Sequence, residues 1–216
     1  MSLKEKLKVS PIPRHRADEL CRSYHYSGKP YVKSQVHLGV YWDGELEGAM
    51  CFGCPIDRRK VLPLVEGTGW EEMCELNRMA FSDNLPRNSE SRALSVAFRL
   101  FRKYAPQVKW ILSYADGAQS GSGAIYRATG WILTQIKENS SLYRRKDGSV
   151  VSDIGIRTSA TLREEIGGGG VEAFRDAGLQ RIVGRQYRYI KPLTKGLILN
   201  CAVLPYDRAR PMEATR

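Results

Sequence analysis

The sequence predicts a mixed α/β (α+β) fold: one largely antiparallel sheet flanked by helices, with a basic C-terminal elaboration. Three observations lead there. Apolar residues alternate over 36–40 and return over 46–52 around Asp43-Gly44, a hairpin turn pair. A strand-like run, "MCELNRMAF", is followed by a long stretch whose apolar residues recur at helical spacing. The order is helix, two or three antiparallel strands, helix, strand, helix, strand, insertion, strand. That lacks the strict alternation of a doubly wound parallel sheet. With 216 residues, 42% hydrophobic and 26% charged, the chain suits a single domain over 1–216. Its core is expected over about 14–140 plus a last strand over about 185–192, with an insertion over about 141–184.

Residues 1–13 read as a loosely held basic tail. "RADELCRSYHYSG" places Ala17, Leu20, Cys21 and Tyr24 on one helical face and ends near Gly28. The hairpin follows, then a loop with a short apolar stretch over 57–70. In the long helix Leu94, Ala97, Phe98 and Phe101 form the buried stripe. Asn88 or Ser89 can cap its start, Glu90 suits its dipole, and Pro106 stops it. "VKWILSYAD" is apolar enough for a buried central strand. "GSGAIYRATGW" reads as a short helix closed by Gly130, and "WILTQIKE" as the next strand. Residues 143–158 read as an exposed hairpin turning at Asp147-Gly148. "ATLREEI" and "VEAFRDAG" read as short helices hinged at the glycines of 167–170, and "QYRYIKPL" as the last strand, broken at Pro192. The final "LPYDRARPMEATR" reads as frayed.

No run reaches the ~18 apolar residues of a membrane span, and the N-terminus lacks an apolar signal core. Both point to a cytoplasmic protein. Five scattered cysteines do not form a disulfide framework. The Cys51-x-x-Cys54 pair has no second pair to complete a zinc ribbon, so buried reduced thiols are expected. A net charge of +11 and a pI near 9.6 suggest a polyanionic partner.

The polar turn before the long helix carries Arg87, Asn88, Ser89, Ser91 and Arg92. A helix start offers open backbone amides and a positive dipole end, so a diphosphate can bind there. Serine hydroxyls would add donors and the two arginines would add forked charge. The same residues also serve as ordinary caps in a solvated loop. Strand, polar turn, long helix, apolar strand and then "GAIYRATGW" resembles the GNAT superfamily of acetyltransferases. There the turn cradles the coenzyme A pyrophosphate, and a tyrosine in the short helix protonates the departing thiolate. "RNSES" puts serine where that superfamily has glycine; the matching tyrosine is Tyr126.

A closer resemblance spans roughly residues 20–140. "HYSGK", "HLGV", "LEGAMCFG", "ELNRMAFSDNLPRNSESRALS" and "SYADG" followed by "IYRATGW" are similar to the Mom family of phage DNA-modification proteins. The resemblance implies conversion of adenine in double-stranded DNA to its N6-carbamoylmethyl (acetamido) form. That shields phage DNA from host restriction, which places the protein in the host cytoplasm. It implies acetyl-CoA as donor and admits an iron ion.

Such chemistry needs the base out of the stack, a stacking surface and a proton acceptor. Tyr26 can stack on adenine, and His25 can accept a proton or bind metal, against the alternative of a packed histidine at a helix end. Asp116, after the apolar strand, reads equally as base, metal ligand or turn carboxylate. Arg78 interrupts an apolar strand; it would pair with Glu75 or Asp116, face the cofactor, or point to solvent. A metal site would join His25 and Asp116, with His37 as a third ligand. Arg144, Arg145, Lys146, Arg185, Arg188 and Lys191, with Tyr187 and Tyr189 interleaved, suit DNA gripping or a solvated basic surface. Two other readings stay open: an ordinary N-acetyltransferase for a small amine or protein, and a non-enzymatic basic DNA-binding protein.

Overall fold

The computed structural model describes residues 6–117 and 121–209, without the side chains of 139–141 and 209. Fifteen elements matter here. They are β1 (Leu7–Pro11), α1 (Arg14–Tyr24), β2 (Ser34–Trp42), β3 (Glu45–Gly53), α2 (Arg58–Val61), β4 (Met73–Phe81), α3 (Ser89–Tyr104), β5 (Trp110–Asp116), α4 (Ala124–Ala128), β6 (Ile132–Arg144), β7 (Val150–Ser152), α5 (Asp153–Thr158), α6 (Ala160–Ile166), α7 (Val171–Asp176) and β8 (Gln180–Pro192). The strands form one sheet in the order β1-β2-β3-β4-β5-β8-β6-β7. All pairings are antiparallel except β4 with β5.

The hairpin, β4, α3 and β5 form where the periodicity places them. Asp43 and Gly44 take positive φ of 54° and 96°, as a two-residue hairpin turn requires. On one sheet face, Ala93, Leu94, Ala97, Phe98 and Phe101 of α3 pack on Met50, Phe52, Leu76 and Ile111. On the other, α1 seats Ala17 and Cys21 against Ala49, Cys51 and Ala80. The α2 region covers Trp110, Leu112 and Ile190 on that same face.

Several expectations need correction. The first residues are not all a loose tail: Leu7–Pro11 pairs with β2, and Leu7 and Ile12 are buried. Lysines and a proline hide that two-apolar signal. Residues 57–70 contain α2 and a 3₁₀ turn over Leu62–Leu64, and a second over Trp70–Glu72 begins at their end, rather than loop alone. The hairpin at Asp147-Gly148 returns for only three residues. The Ser152 hydroxyl then accepts from the Gly155 amide and starts α5. At the C-terminal end the Leu204 amide donates to the Leu133 carbonyl and the Tyr206 hydroxyl to the Trp131 carbonyl, so these residues are anchored; 210–216 lie outside the described residues.

The parting of β4 from β5 positions the site. They pair only at Met73–Trp110, Cys74–Ile111 and Glu75–Leu112. Beyond Glu75, β4 follows β3 to Phe81 while β5 follows β8 to Asp116. Asn77 is an extra residue opposite the Cys51/Phe52 step, and such a bulge increases the local twist. The strands therefore splay, and a V-shaped opening runs through the sheet.

Leu94 is wholly buried at the middle of α3. Leu94→Ala is expected to cost about 2–5 kcal/mol in urea unfolding with an unchanged slope.

Candidate functional site

On the α3 side of the splay, Asn88 takes a left-handed φ of 72° and turns the chain into the helix. Its side chain makes no capping bond. The amides of Ser89 and Arg92 are held by the carbonyls of Pro86 and Asn88. Those of Glu90 and Ser91 have no partner among the described residues, so they face outward at the positive end of a 16-residue helix. The serines differ from expectation. Ser89 is fully buried and its hydroxyl donates to the Pro86 carbonyl at 2.6 Å; Ser91 donates to the Asn88 carbonyl at 3.1 Å. Both shape the turn from within. Open amides and the exposed guanidiniums of Arg87 and Arg92 remain for an anion. Beside them is a hollow of about 280 Å³ lined by Ser91, Arg92, Ser95, Arg99 and Ala128. This cationic, donor-only set fits the phosphates of a coenzyme A thioester.

Tyr126 lies at the apex of the splay. It stacks on Tyr189 with centroids 4.7 Å apart and meets Trp131 edge-on at 5.0 Å. Its hydroxyl is 2.9 Å from the Ser113 hydroxyl, which donates at 3.2 Å to the Leu76 carbonyl across the strand gap. The phenol is therefore the donor to Ser113. Burial pushes its pKa up to about 12, with the Ser113 bond opposing, so it stays protonated. Gly123, which opens α4 at φ +81°, lies so close that an added Cβ would meet the Tyr189 ring at 2.7 Å.

The opposite face gathers the end of α1. A cleft of about 200 Å³ is lined by Tyr26, Ser27, Lys29, Asp116, Leu142 and Val151. Tyr26 keeps 59% of its surface exposed, its ring 4.3 Å from that of His25. Desolvation of its phenol, then the Asp116 charge, raise its pKa. Asp116 ends β5 opposite Gln186, at the cleft wall. His25 does not match a base: its Nδ1 accepts from the Ser27 amide at 3.1 Å and sits 2.8 Å from the Ser27 hydroxyl, which assigns its proton to Nε2. Burial, then Arg78, hold its pKa at about 4, so it is neutral. The Nε of Arg78 donates to the Lys29 carbonyl at 3.0 Å, a second nitrogen donates to the Asn77 carbonyl at 2.7 Å, and the guanidinium lies 5.4 Å from the Tyr31 ring.

His37 is in β2 opposite Cys51, beneath α1 near Arg14 and Asp18. Among the described residues no three His, Cys, Asp or Glu side chains converge on a metal-sized site. With the His25 Nδ1 lone pair also engaged by Ser27, this donor set does not fit iron.

The expected DNA residues divide. Arg188 donates to Thr134 at 2.9 Å, and Lys191 donates to the Thr129 carbonyl at 2.7 Å over the Phe98 ring. Arg188 braces the sheet, and Lys191 ties β8 to the turn after α4. Arg145 pairs with Glu165 at 2.9 Å. Arg144 and Lys146 are exposed and Arg185 is half-buried.

Sequence reading passed over Glu75, except as a partner for Arg78, and over Ser113. Glu75 is the last β4 residue paired with β5, half-buried at the apex. Desolvation raises its pKa to about 7, against the lowering effects of an Asn77 hydrogen bond and the Arg78 charge. The signal was present: a carboxylate beside Asn77 and Arg78 in the first run, and one hydroxyl in the apolar second run. Nearby, the Tyr31 hydroxyl is buried with no hydrogen-bond partner among the described residues. A larger groove of about 480 Å³ between β1, β2 and α3 is lined mostly by apolar side chains such as Val9, Leu38 and Phe101.

Among solved structures, the Salmonella typhimurium protein yncA, described as an acetyltransferase and solved with its cofactor acetyl-CoA, is 7% identical. The match covers 88% of this chain and 96% of that one, at a TM-score of 0.51. A protein described as a phosphinothricin N-acetyltransferase is 8% identical over 88% of this chain and 99% of that one, at a TM-score of 0.50. The fold is thus that of the GNAT acetyltransferases. Among curated proteins, the methylcarbamoylase mom of Escherichia phage Mu is 31% identical over 194 residues, covering 88% of this chain and 77% of that protein. The profile of the Mom protein family matches residues 6–208, and the chain belongs to that family.

Proposed function

We propose that this protein is a phage DNA-modifying transferase that converts adenine in double-stranded DNA to its N6-carbamoylmethyl form with an acetyl-CoA-derived group, in the host cytoplasm, and so guards phage DNA against restriction. The observation that carries the reading is the β4–β5 splay. It joins an anion-ready helix end on one face to an aromatic, acidic cleft on the other, in a relative of a protein named methylcarbamoylase.

Each residue has a physical task in this reading. Arg87, Arg92 and the Glu90 and Ser91 amides hold the coenzyme phosphates. A coenzyme A thioester, when bound, supplies an activated acetyl group. The target base leaves the duplex, and the exposed Tyr26 ring offers it a stacking surface at the cleft mouth, beside Asp116. Arg78 fixes the loop carrying Tyr26 by gripping the Lys29 carbonyl. The adenine amino group is a poor nucleophile and ends with one proton fewer when it joins the methyl-derived carbon. The net conversion also takes up an amide nitrogen from ammonia or an amine donor in place of the thiol, and passes two electrons from that carbon to an oxidant; both co-reactants come from outside this chain. Glu75 accepts the amino proton: a carboxyl titrating near 7 is half ionised at working pH and a better base than an exposed one. Tyr126, charged with a proton and aligned on Ser113, serves as acid at the apex.

The reading is tested by digesting plasmid DNA co-expressed with the protein and weighing its nucleosides. A carbamoylmethylated adenosine supports it; unmodified DNA with intact acetyl-CoA affinity favours the plain N-acetyltransferase. Modification rate should fall as pH drops through about 7, because the protonated Glu75 cannot accept, and Glu75→Gln should lower kcat by about 10²–10⁴-fold. A wild-type acid limb near 4, or a fully active variant, removes Glu75 from this role. Tyr126→Phe should spare DNA affinity and abolish modification; retained activity shows that the phenol is not the acid. Arg87→Ala should weaken coenzyme binding by about ten-fold or more, read by calorimetry, and an unchanged Kd takes Arg87 out of the phosphate site.

A further inference from the structure

We propose that duplex DNA docks chiefly on a rim formed by the last turn of α1, the loop after it and the segment after β3, where Arg22, Lys29, Lys33 and Arg59 contact phosphates and Trp70 offers a flat apolar face. This rests on the DNA-modification reading and names the surface that serves it.

Charge balance points to the rim. Residues 22–35 hold three basic residues and no acidic one; residues 54–65 hold three basic and one acidic, with Glu66, Glu71 and Glu72 following before β4. The acid within 54–65, Asp57, is engaged by Lys60 at 3.2 Å. Residues 141–184 hold seven basic and six acidic residues, so they are almost neutral. Three of their arginines are also occupied, Arg145 by Glu165 at 2.9 Å, Arg157 by Asp153 at 2.8 Å and Arg175 by Asp176 at 3.7 Å, which leaves Arg144 and Lys146 among the competing exposed cations. Arg22, Lys29, Lys33 and Arg59 are exposed and have no carboxylate within ion-pair reach among the described residues. Polyanion binding gains most from cations that need not first leave a carboxylate.

The two segments form one surface. Ser34 pairs with Gly53 at the open ends of β2 and β3, and Lys33, Arg59 and Trp70 border the same hollow. Trp70 leaves 41% of its surface exposed, with the Arg58 guanidinium 4.5 Å from its ring. Two arginine side chains hold the backbone of the loop. Arg14 donates to the Val32 carbonyl at 3.2 Å, and Arg78 to the Lys29 carbonyl at 3.0 Å. Both lysine side chains are thereby left for solvent or phosphate, and little ordering is needed on binding. Lys29 also lines the cleft with Tyr26 and Asp116, so the rim leads into the site. A phosphate next to a flipped nucleotide would meet Lys29, with the flanking duplex along Lys33 and Arg59.

The test is fluorescence anisotropy with a labelled duplex of about 20 base pairs, at about 50–200 mM salt. The triple variant Arg22→Ala/Lys33→Ala/Arg59→Ala should bind at least about ten-fold more weakly and lose about 2–3 from the magnitude of the log–log salt slope. Its acetyl-CoA affinity and Tm should match wild type, which separates surface loss from misfolding. Arg144→Ala/Lys146→Ala should stay within about two-fold of wild type. A triple variant with the wild-type slope, or a loss confined to the Arg144/Lys146 pair, overturns the rim and leaves the DNA-modification reading standing if plasmid adenine is still modified. A wild-type protein that shows no duplex affinity at low salt sinks that reading, and the rim with it.

Discussion

The separation of two neighbouring strands governs this molecule. β4 and β5 are parallel for three residue pairs, and each is then claimed by its outer partner. Seven antiparallel pairs tie β5 to β8, and the Asn77 bulge turns β4 away with β3. The hydrogen bonds lost between β4 and β5 leave backbone groups that need partners. The Ser113 hydroxyl meets one of them, the Leu76 carbonyl, and thereby links the apex to Tyr126. An opening through a sheet lets a long ligand be held on one face and react on the other.

The electrostatics differ on the two sides. Toward α3 the turn offers open amides and the Arg87 and Arg92 cations, with Glu90 as the acidic residue of the first helical turn. Toward α1 the apex holds Glu75, with Asp116 at the cleft and Arg78 between loop and strand. Desolvation dominates there: it raises Glu75 and Tyr126 and lowers His25, each toward its neutral form. Perturbation of this kind clusters where proton transfer is done. The GNAT fold alone does not dictate the reaction, because a fold hosts many chemistries. Family membership narrows it to phage DNA modification.

Much of the fold was legible because hydrophobic period is a direct physical signal. Leu94, Ala97, Phe98 and Phe101 mark the α3 stripe, and Asp43-Gly44 marks the hairpin. β1 was hidden, since five residues with lysine and proline among them carry too little alternation. The site was legible in part. Tyr26, Asp116 and the turn before α3 could be named from residue type and order. Their roles depended on distances that no local pattern encodes. The inward bonds of Ser89, the engaged Nδ1 of His25 and the bonds of Arg188 and Lys191 all arise from tertiary contact. Glu75 was visible as an oddity, but its desolvation appears only once α1 and the loop after it close over β4.

The central claim is that the splay is where the coenzyme binds and the reaction occurs. Amide hydrogen exchange with and without acetyl-CoA tests it most directly. The account predicts added protection in peptides spanning 87–92, 76–81 and 113–117. Protection confined to the apolar groove between β1, β2 and α3, or no change at the splay under saturating coenzyme, would contradict it.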